Sequence, residues 1–323
     1  MNVVIGVDSG GSKTRAIAVS LDGEIVGYGE GGGGNPGHDS AYCQNIHAAI
    51  LSATEKVGVG NVIRIVAGIA GLDRPEDINW AKTCTAVPGV NCPQVQINDA
   101  DIAHFGAFSG GPGIVSIQGD GSMIFGITET GRRVRNFDFR HYARAAGPWM
   151  GATALLALLA RGHERGDDDF VSRVLEYWSV AALSELREIA IQFDTWPHQE
   201  LMRKQGDMAS LVTDAAENGS PLAASICDEG ANNVTEGIRL LGRLFGQQEV
   251  SIALIGSCVR SKYMRSAIES RLNAAAERTY CLADPAYSPV IGAALLALGQ
   301  EGVILKNDVM VRLSQSSMNL FHS

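Results

Sequence analysis

Apolar and polar positions at the start of the chain follow a pattern that predicts three β-strands. The apolar runs NVVIGVD, TRAIAVS and IVGYGE are separated by the glycine-containing turns SGGSK and LDGE. β-Branched residues bounded by Gly and Asp are typical of strands joined by tight turns. Residues 2–30 are therefore predicted to form a three-stranded meander, with Asp8 at the end of its first strand.

The same order of elements recurs in residues 113–138, with the sequence GIVSIQGDGSMIFGITETGRRVRNFD. An apolar strand, a Gly-Asp-Gly-Ser turn, a second apolar strand, a polar turn and a third strand follow one another. A repeat on the scale of a domain indicates duplication. Two related domains would leave a ligand cleft with the two glycine turns facing each other.

The spacing of apolar residues becomes helical in the middle of the chain. Consecutive amphipathic helices are predicted in TALLALLARGHERG, VSRVLEYWSVAALSELREIAIQF, DMASLVTDAAENG and PLAASICDEGANNVTEGIRLLGRLF. Between the two meanders, a strand ends at Asn98 and Asp99 and a helix rich in small residues follows.

The two glycine turns are candidates for binding phosphate. Without a Cβ atom, glycine allows backbone N–H groups to approach phosphate oxygens, and Asp8 could hold a magnesium ion through water. Either turn alone could equally serve only to close a hairpin. Their repetition at the same point of two meanders favours phosphate binding.

Composition narrows the class of partner. The chain of 323 residues is 46% hydrophobic and 19% charged, and its formal net charge of −9 disfavours nucleic acid as a ligand. The six cysteines contain no C-x-x-C pair, which predicts reduced structural thiols. Apolar runs such as ATALLALLA are too short to cross a membrane, and no signal peptide is evident at the start. We therefore expect a cytoplasmic protein with a small-molecule ligand.

Five motifs occur in the order and spacing of a known family. They are VDSGGSKT, INDADIAHFGA, IQGDGS, LIGSCVRS and DPAYSPVIGAALLAL, and with them the chain resembles the BadF/BadG/BcrA/BcrD ATPase family, which contains N-acetylglucosamine kinase. The resemblance implies an α/β fold with two ribonuclease H-like domains of the actin-like ATPase kind, each with a mixed sheet flanked by helices, and an ATP cleft between them. The implied domains are residues 1–110 and 111–303, the second with a helical insert, and a helix over about 304–323 is expected to return to the first domain.

The resemblance also assigns roles to individual residues. The implied ATP-binding residues are Gly10, Gly11, Ser12, Lys13 and Thr14 in the first phosphate motif, Gly119, Asp120, Gly121 and Ser122 in the second, and Gly256 and Ser257 in the adenosine motif. Asp8 would hold Mg²⁺ through water. Asp99 matches the aspartate that accepts the proton of the sugar hydroxyl, and Asn35 and Gly147 match positions on the sugar side.

Structural alternatives exist for several of these residues. Asp99 or Asp101 could simply cap the helix that follows, a common use of Asp at such a position. Asn35 lies in the glycine-rich segment GEGGGGNPGHD, which could be only a flexible connection. Gly68 and Gly71 are better explained by tight packing than by ligand binding. The arginines of GRRVRNFDFRHYAR could bind an acidic substrate, although such a run is more often a solvated face.

Three positions depart from the pattern of the family's kinases. Ala146 stands where a Trp is usual, Ala152 where an Asp that helps to hold the sugar is usual, and Asp120 where a Thr is usual. A carboxylate about 4 Å from a phosphate charge would be opposed by roughly 4 kcal/mol at an effective dielectric constant of 20. Asp120 must therefore turn away from the phosphate or bind metal.

The sequence thus predicts an ATP-dependent kinase that phosphorylates an amino sugar of the N-acetylglucosamine or glucosamine class. A sensor that binds ATP or sugar without turnover is one alternative, favoured by the three departures. An ATPase that activates a partner enzyme is another, although the chain has no suitable pair of cluster cysteines. Family members are often dimers, so the resemblance implies a homodimer, with no nucleic-acid or membrane partner.

Overall fold

The structure is a computed structural model that describes residues 1–274, 278–305 and 307–321. The strands are β1 (Val3–Ser9), β2 (Thr14–Ser20), β3 (Ile25–Gly31), β4 (Val62–Ile69), β5 (Gln94–Asn98), β6 (Gly113–Gln118), β7 (Ser122–Ile127), β8 (Arg133–Arg135), β9 (Glu249–Ile255) and β10 (Thr279–Ala283). The helices are α1 (Tyr42–Thr54), α2 (Ile78–Thr85), α3 (Asp99–Phe108), α4 (Gly147–Arg161), α5 (Asp168–Trp178), α6 (Leu183–Ala190), α7 (His198–Asp207), α8 (Ala209–Glu217), α9 (Pro221–Gly242), α10 (Ser257–Arg260), α11 (Lys262–Asn273), α12 (Pro289–Gln300) and α13 (Asn307–Phe321).

The chain forms two compact units, each with a five-stranded mixed sheet. Unit 1 comprises residues 1–111 and 285–323, and its strand order is β3-β2-β1-β4-β5. Unit 2 comprises residues 112–284, and its strand order is β10-β9-β6-β7-β8. In each unit three antiparallel strands are followed by two strands parallel to the first. Both predicted meanders are present, and the predicted α/β fold class is confirmed.

The sheet of unit 1 has an apolar core on each face because successive residues of a strand point to opposite sides. Ile5 of β1 belongs to the core that includes Ile46 and Ile50 of α1. Its neighbour Val4 belongs to the opposite core, with Leu295 of α12. Unit 1 is therefore a three-layer structure with a sheet between helices.

The second domain boundary differs from the prediction, which placed residues 285–303 in the second domain. Helix α12 instead packs on the first sheet, where a Cβ atom on Gly6 of β1 would lie 2.5 Å from Ala294 N. The apolar face of α12, including Ile291 and Leu295, is buried against β1 and its neighbours. Val309 and Leu313 of α13 are buried in the same core. Burial of these side chains explains why the chain returns to unit 1.

The helices of unit 2 cover an extended apolar core that includes Ile114 and Ile124 of the sheet. The predicted helix over residues 171–193 is in fact two helices, because Ser179 ends α5 with a left-handed backbone (φ 57°). Helix α7 was not predicted, since its sequence HQELMRKQGD has no buried residue and carries little apolar pattern. No described helix of either unit combines the length and apolar character that a membrane span requires.

The prediction that all cysteines are reduced is wrong for one pair. Cys43 of α1 and Cys84 of α2 form a disulfide within unit 1, with their Cα atoms 4.4 Å apart. Their separation of 41 residues hid the pairing from the sequence, because it depends on how the two helices pack. Cys92, Cys227, Cys258 and Cys281 are free thiols.

Candidate active site

The first glycine turn joins β1 to β2 and is closed by hydrogen bonds. Gly10 N donates to Lys13 O at 2.9 Å. Ser9 Oγ and Thr14 Oγ1 lie 2.9 Å apart and are buried. The hydroxyl of Thr14 therefore stabilises the base of the turn, whereas Ser12 and Lys13 are exposed at its tip.

Lys13 is the cationic group of this turn. Its Nζ atom lies 2.6 Å from Glu30 Oε1, and 44% of the Lys13 side chain is exposed. The hydrogen bond from Lys13 holds the pKa of Glu30 below its usual value. Exposed ion pairs contribute little to stability, so Lys13 can exchange Glu30 for a phosphate oxygen at small cost.

The glycine-rich segment packs directly on the first turn. Gly34 N donates to Gly10 O at 2.9 Å. A Cβ atom on Gly33 would lie 2.2 Å from Gly11 O, and one on Gly34 would lie 1.6 Å from Ser9 Oγ. Only glycine allows this approach, so the segment is a packed part of the turn and not merely a connection.

Asn35 follows this segment and contacts the loop after β4. Its Oδ1 atom accepts a hydrogen bond from Gly37 N at 2.8 Å. Gly71, with φ +84°, lies so close that a Cβ atom there would be 3.0 Å from Asn35 Oδ1. The structure therefore brings the predicted sugar ligand Asn35 to the loop of residues 70–77.

Gly68 packs against Ile102 of α3, in agreement with the interpretation that this glycine serves tight packing.

Asp8 and Asp99 lie at the same edge of the first sheet. Asp8 pairs with Gly68, and Ile69 at the end of β4 pairs with Asn98, the residue before Asp99. β1, β4 and β5 are parallel, so their carboxyl ends share one edge, and two strand spacings amount to about 10 Å. The carboxyl edge of a parallel sheet is the usual position of a ligand site in α/β proteins.

The surroundings of both carboxyl groups favour their protonated forms. Burial raises the pKa of Asp8 to about 6, against the opposing charge of Arg15, its cross-strand neighbour on β2. Burial raises the pKa of Asp99 to about 7, and the negative charges of Asp8 and Asp73 add to the rise. A carboxyl group shifted in this way by desolvation and by like charges is a candidate catalytic group.

Helix α3 begins at Asp99, and Asn98 is its N-cap. Asn98 Oδ1 accepts a hydrogen bond from Ala100 N at 2.9 Å. The capping role that sequence analysis left open for Asp99 or Asp101 thus belongs mainly to Asn98. Asp99 and Asp101 occupy the first turn of the helix, where the helix dipole favours negative charge.

Three predicted segments of unit 2 meet at the second glycine turn. Gly119 N donates to Gly121 O at 3.0 Å, and Gly147 N, at the start of α4, donates to Gly119 O at 2.8 Å. Gly256 has φ +103°, and a Cβ atom there would lie 2.2 Å from Gln118 O. The N–H group of Gly147, a residue predicted on the sugar side, therefore supports the second glycine turn, and the Gly256-Ser257 turn packs beside it.

Two side-chain oxygen atoms beside the second turn lack a hydrogen-bond partner in the described part of the chain. Among the described residues, Gln118 Oε1 and Ser122 Oγ are buried without a hydrogen-bond partner. Asp120, Gly121 and Ser257 are exposed. Because Asp120 is exposed, its carboxylate has room to turn toward solvent, as predicted for a carboxylate beside a phosphate.

The departures at Ala146 and Ala152 have different structural consequences. Ala146 is the N-cap of α4 and provides no side-chain hydrogen bond. Ala152 lies in the first turns of α4 and is partly buried. Neither position provides a polar group for a ligand.

In the nearby arginine-rich segment, Arg135 pairs with Asp138 at 3.4 Å and Arg133 lies 5.8 Å from the centre of the Phe125 ring.

Three residues at the carboxyl edge of the first sheet were not among the predicted site residues: Arg15, Asp73 and Asn98. Arg15 could have been found from the meander, because a seven-residue strand after a four-residue turn places it opposite Asp8. Asn98 ends the parallel strand β5, and Asp73 lies in the loop after the parallel strand β4. Ligand sites of α/β proteins are usually found at such strand ends. The hydrogen bond between these two residues, 3.1 Å from Asn98 Nδ2 to Asp73 Oδ1, could not be inferred from sequence.

Two mixed sheets with the same strand order, together with these motifs, define the class of protein as an ATPase. The model of the BadF/BadG/BcrA/BcrD ATPase family matches residues 5–297, so the chain belongs to this family. The predicted family is thereby confirmed, and ATP is the nucleotide that it implies. The carboxylate and phosphate oxygens expected at the site are of the kind that Mg²⁺ prefers, so Asp8 fits a water-mediated magnesium ligand.

Similar proteins include several sugar kinases. The N-acetylmuramic acid/N-acetylglucosamine kinase of Clostridium acetobutylicum is 23% identical over 261 residues, which cover 79% of this chain and 84% of the relative. A candidate N-acetylglucosamine kinase from Chromobacterium violaceum has a similar structure, with a TM-score of 0.71, 21% identity and coverage of 92% of this chain and 99% of that one. A ROK family glucokinase from Streptomyces griseus, in complex with glucose and AMPPNP, gives a TM-score of 0.59, 18% identity and coverage of 92% and 98%. These similarities agree with the prediction of an ATP-dependent sugar kinase.

Proposed function

We propose that the protein is a kinase that transfers the γ-phosphate of ATP to a hydroxyl group of an amino sugar, of the N-acetylglucosamine or glucosamine class. The observation that carries this proposal is the environment of Asp99. Its carboxyl group lies at the carboxyl edge of the first sheet, and burial raises its pKa to about 7. A base whose pKa lies near the operating pH is suited to accept a proton in the transition state.

Asp99 acts as the general base in this proposal. It accepts the proton of the acceptor hydroxyl while the hydroxyl oxygen bonds to the γ-phosphorus. The bond from the γ-phosphorus to the bridging oxygen breaks, and ADP leaves. Phosphoryl transfer depends mainly on positioning and charge stabilisation, so one carboxylate beside the acceptor is sufficient.

The two glycine turns bind the phosphates. In unit 1 the proposed phosphate ligands are residues 10–13, with Lys13 Nζ as the cationic group. In unit 2 they are residues 119–122, whose turn is supported by Gly147 and Gly256. Asp8 would hold Mg²⁺ through water, and the ion would supply positive charge that offsets the charge of the phosphates. Thr14 acts indirectly, since its buried hydroxyl maintains the shape of the first turn through Ser9.

The choice of an amino sugar as the acceptor is supported by the similarity of the chain to N-acetylglucosamine kinases. The Clostridium acetobutylicum relative is named for N-acetylmuramic acid and N-acetylglucosamine, so both sugars belong in the test panel. Asn35 and the loop of residues 70–77 form the sugar side in unit 1. Because Ala152 provides no carboxylate, we expect fewer hydrogen bonds to the sugar than in kinases that have Asp at this position.

A sensor that binds ATP and sugar without turnover is the second candidate. The substitutions at Ala146, Ala152 and Asp120 favour it, because each removes or alters a group used by the family's kinases. Asp8 and Asp99 oppose it, since a sensor needs no desolvated base at the edge of the sheet. Thermal stabilisation by sugar without turnover would distinguish the sensor.

The test is ADP release from Mg-ATP with a panel of amino and neutral sugars that includes N-acetylmuramic acid. Asp99→Asn is assayed beside the wild type, with Asp284→Asn as a matched control. Asp284 directly follows β10 as Asp99 follows β5, but it is 85% exposed and pairs with Arg265 at 3.0 Å. Turnover that Asp99→Asn abolishes and Asp284→Asn retains supports the kinase. Iron bound to the purified protein would instead favour the ATPase activator.

A homodimer in the cytoplasm is the assembly and location that we propose with this function. The dimer is the assembly that the resemblance to the family implies, and the use of ATP that the family implies supports the location. Light scattering of the purified protein gives the mass of the assembly directly. A mass equal to one 34.2 kDa chain would contradict the dimer.

A further inference from the structure

We propose that Asn98 is a positioning residue that orients Asp99 by joining the first turn of α3 to the loop after β4. The inference rests on the proposed function, because it assumes that Asp99 is the base. Asn98 would act through Asp99 and through the loop, without a step of its own in the reaction.

The side chain of Asn98 connects two segments with three hydrogen bonds. Its Oδ1 atom accepts from Ala100 N at 2.9 Å. Its Nδ2 atom donates to Leu72 O at 3.2 Å and to Asp73 Oδ1 at 3.1 Å. One carboxamide therefore fixes the residue after Asp99 on one side and the loop of residues 70–77 on the other.

The loop that Asn98 holds is itself fixed to the sheet. Ala70 N donates to Ser9 O at 2.8 Å, which ties the start of the loop to the end of β1. Asp77 Oδ2 accepts from Asp73 N at 3.1 Å and from Arg74 N at 2.8 Å, which closes the other end. A rigid loop can transmit an orientation, so Asn98 places Asp99 relative to the phosphate turn at the end of β1.

Only a carboxamide can make this connection. Ser and Asp at position 98 would retain the N-cap, because both are good capping residues. Ser is too short to reach Leu72 O, and Asp has no donor for Leu72 O and would face the carboxylate of Asp73. Variants can therefore separate helix capping from the link to the loop.

The same link explains how Asp73 can influence the site. The carboxylate of Asp73 is held beside the start of α3 by Asn98, and its charge contributes to the raised pKa of Asp99. An exchange of the two side chains, Asn98→Asp with Asp73→Asn, reverses the direction of their hydrogen bond and conserves the net charge. This double variant restores one of the two contacts that Asn98→Asp loses.

The experiment compares Asn98→Ser, Asn98→Asp and the exchange variant with the wild type. Gln96→Ala is the matched control, because Gln96 is buried on the same strand but donates to Thr85 Oγ1 at 2.7 Å, away from the loop. We expect kcat to fall at least tenfold in Asn98→Ser and Asn98→Asp, with the KM for ATP within twofold. The exchange variant is expected to recover part of kcat. Gln96→Ala is expected to lose stability but less than twofold in kcat.

Two results would overturn the proposal. One is a kcat within twofold of wild type in Asn98→Ser, and the other is an equal fall in Gln96→Ala, which would indicate general loosening of β5. Amide hydrogen exchange provides a measurement independent of turnover. In Asn98→Ser, but not in Gln96→Ala, exchange should accelerate at residues 72–73 and 100–103 together. If the wild type phosphorylates no sugar, the proposed function fails. The rates of amide hydrogen exchange in Asn98→Ser and Gln96→Ala would still show whether Asn98 joins these segments.

Discussion

The two sheets of the protein have the same strand order and different chemistry at their edges. In each, a meander is followed by two parallel strands, so β1 to β5 correspond to β6 to β10. The first strand ends with Asp8-Ser9 in unit 1 and with Ile117-Gln118 in unit 2. The strand order is therefore the same in both units, whereas an ionisable group occurs at the end of the first strand only in unit 1.

The last strands of the two sheets show the same contrast. Asp99 follows β5 and is desolvated, whereas Asp284 follows β10, is 85% exposed and pairs with Arg265. A residue type at an equivalent position therefore has a different role when its solvation differs. Unit 1 thus carries the candidate base, and the equivalent position in unit 2 carries an exposed, ion-paired aspartate.

The largest expected effect is the loss of the base. We expect Asp99→Asn to lower kcat by about 100- to 10,000-fold, because proton transfer by a positioned base contributes that much. Asp284→Asn should leave kcat within twofold of wild type. Steady-state ADP release measures both. An equal effect of the two substitutions would contradict the functional difference between the sheets.

The disulfide provides the next test, since among the described residues only unit 1 contains one. Cys43→Ser should lower the free energy of unfolding by about 2–4 kcal/mol, because the cross-link restricts the unfolded chain. Reduction of the wild type should cause the same loss. Urea unfolding with and without reductant measures it, and Cys92→Ser, which removes a free thiol, is the control. An unchanged unfolding midpoint on reduction would show that the pair is not linked in solution.

Glycine at position 256 is expected to matter for stability. Gly256→Ala should cost about 2–4 kcal/mol, because the backbone has φ +103° and the new Cβ atom would meet Gln118 O at 2.2 Å. Gly119→Ala should change stability by about 0.5 kcal/mol or less, since its Cβ atom would meet open space. Thermal unfolding distinguishes them. Weaker ATP binding in Gly119→Ala, at unchanged stability, would locate the phosphate at the second turn.

The smallest expected effects concern pH. Because Asp99 must be ionised to accept a proton, kcat should fall about tenfold per pH unit below 7. The pKa of Asp99 is higher in the folded protein than its ordinary value of 3.8, so its contribution to stability decreases as pH rises from about 4 to 7. Asp99→Asn should therefore raise the melting temperature more at pH 8 than at pH 5. An identical shift at both pH values would contradict the raised pKa.

The sequence predicted the repeated part of the fold well because its signals are local. β-Branched runs and glycine turns determine both meanders, and the motifs placed Asp8 and Asp99 at strand ends. Features that depend on tertiary packing were not predictable from local patterns. The attachment of α12 to unit 1 and the Cys43–Cys84 disulfide are of this kind.

Individual site residues show the same limit. Asn98 and Asp73 are 25 residues apart in sequence, and their hydrogen bond exists because β4 and β5 are parallel neighbours. Gly147 was assigned to the sugar side from its motif, and its N–H group donates to Gly119 O, a contact that the motif did not indicate. Motifs identify which residues belong to a site, but their partners follow from the packed structure.

The return of the chain to unit 1 has a consequence for synthesis on the ribosome. Residues 112–284 are continuous, so unit 2 has its whole sequence available before synthesis ends. Unit 1 must wait for α12, without which Val4, Ile17 and Val66 are covered only in part, by α3 residues such as Ile102. The nascent first sheet is thus partly exposed on one face while more than half of the protein is being made. Chaperone binding during translation should therefore be concentrated on the segment that was made first.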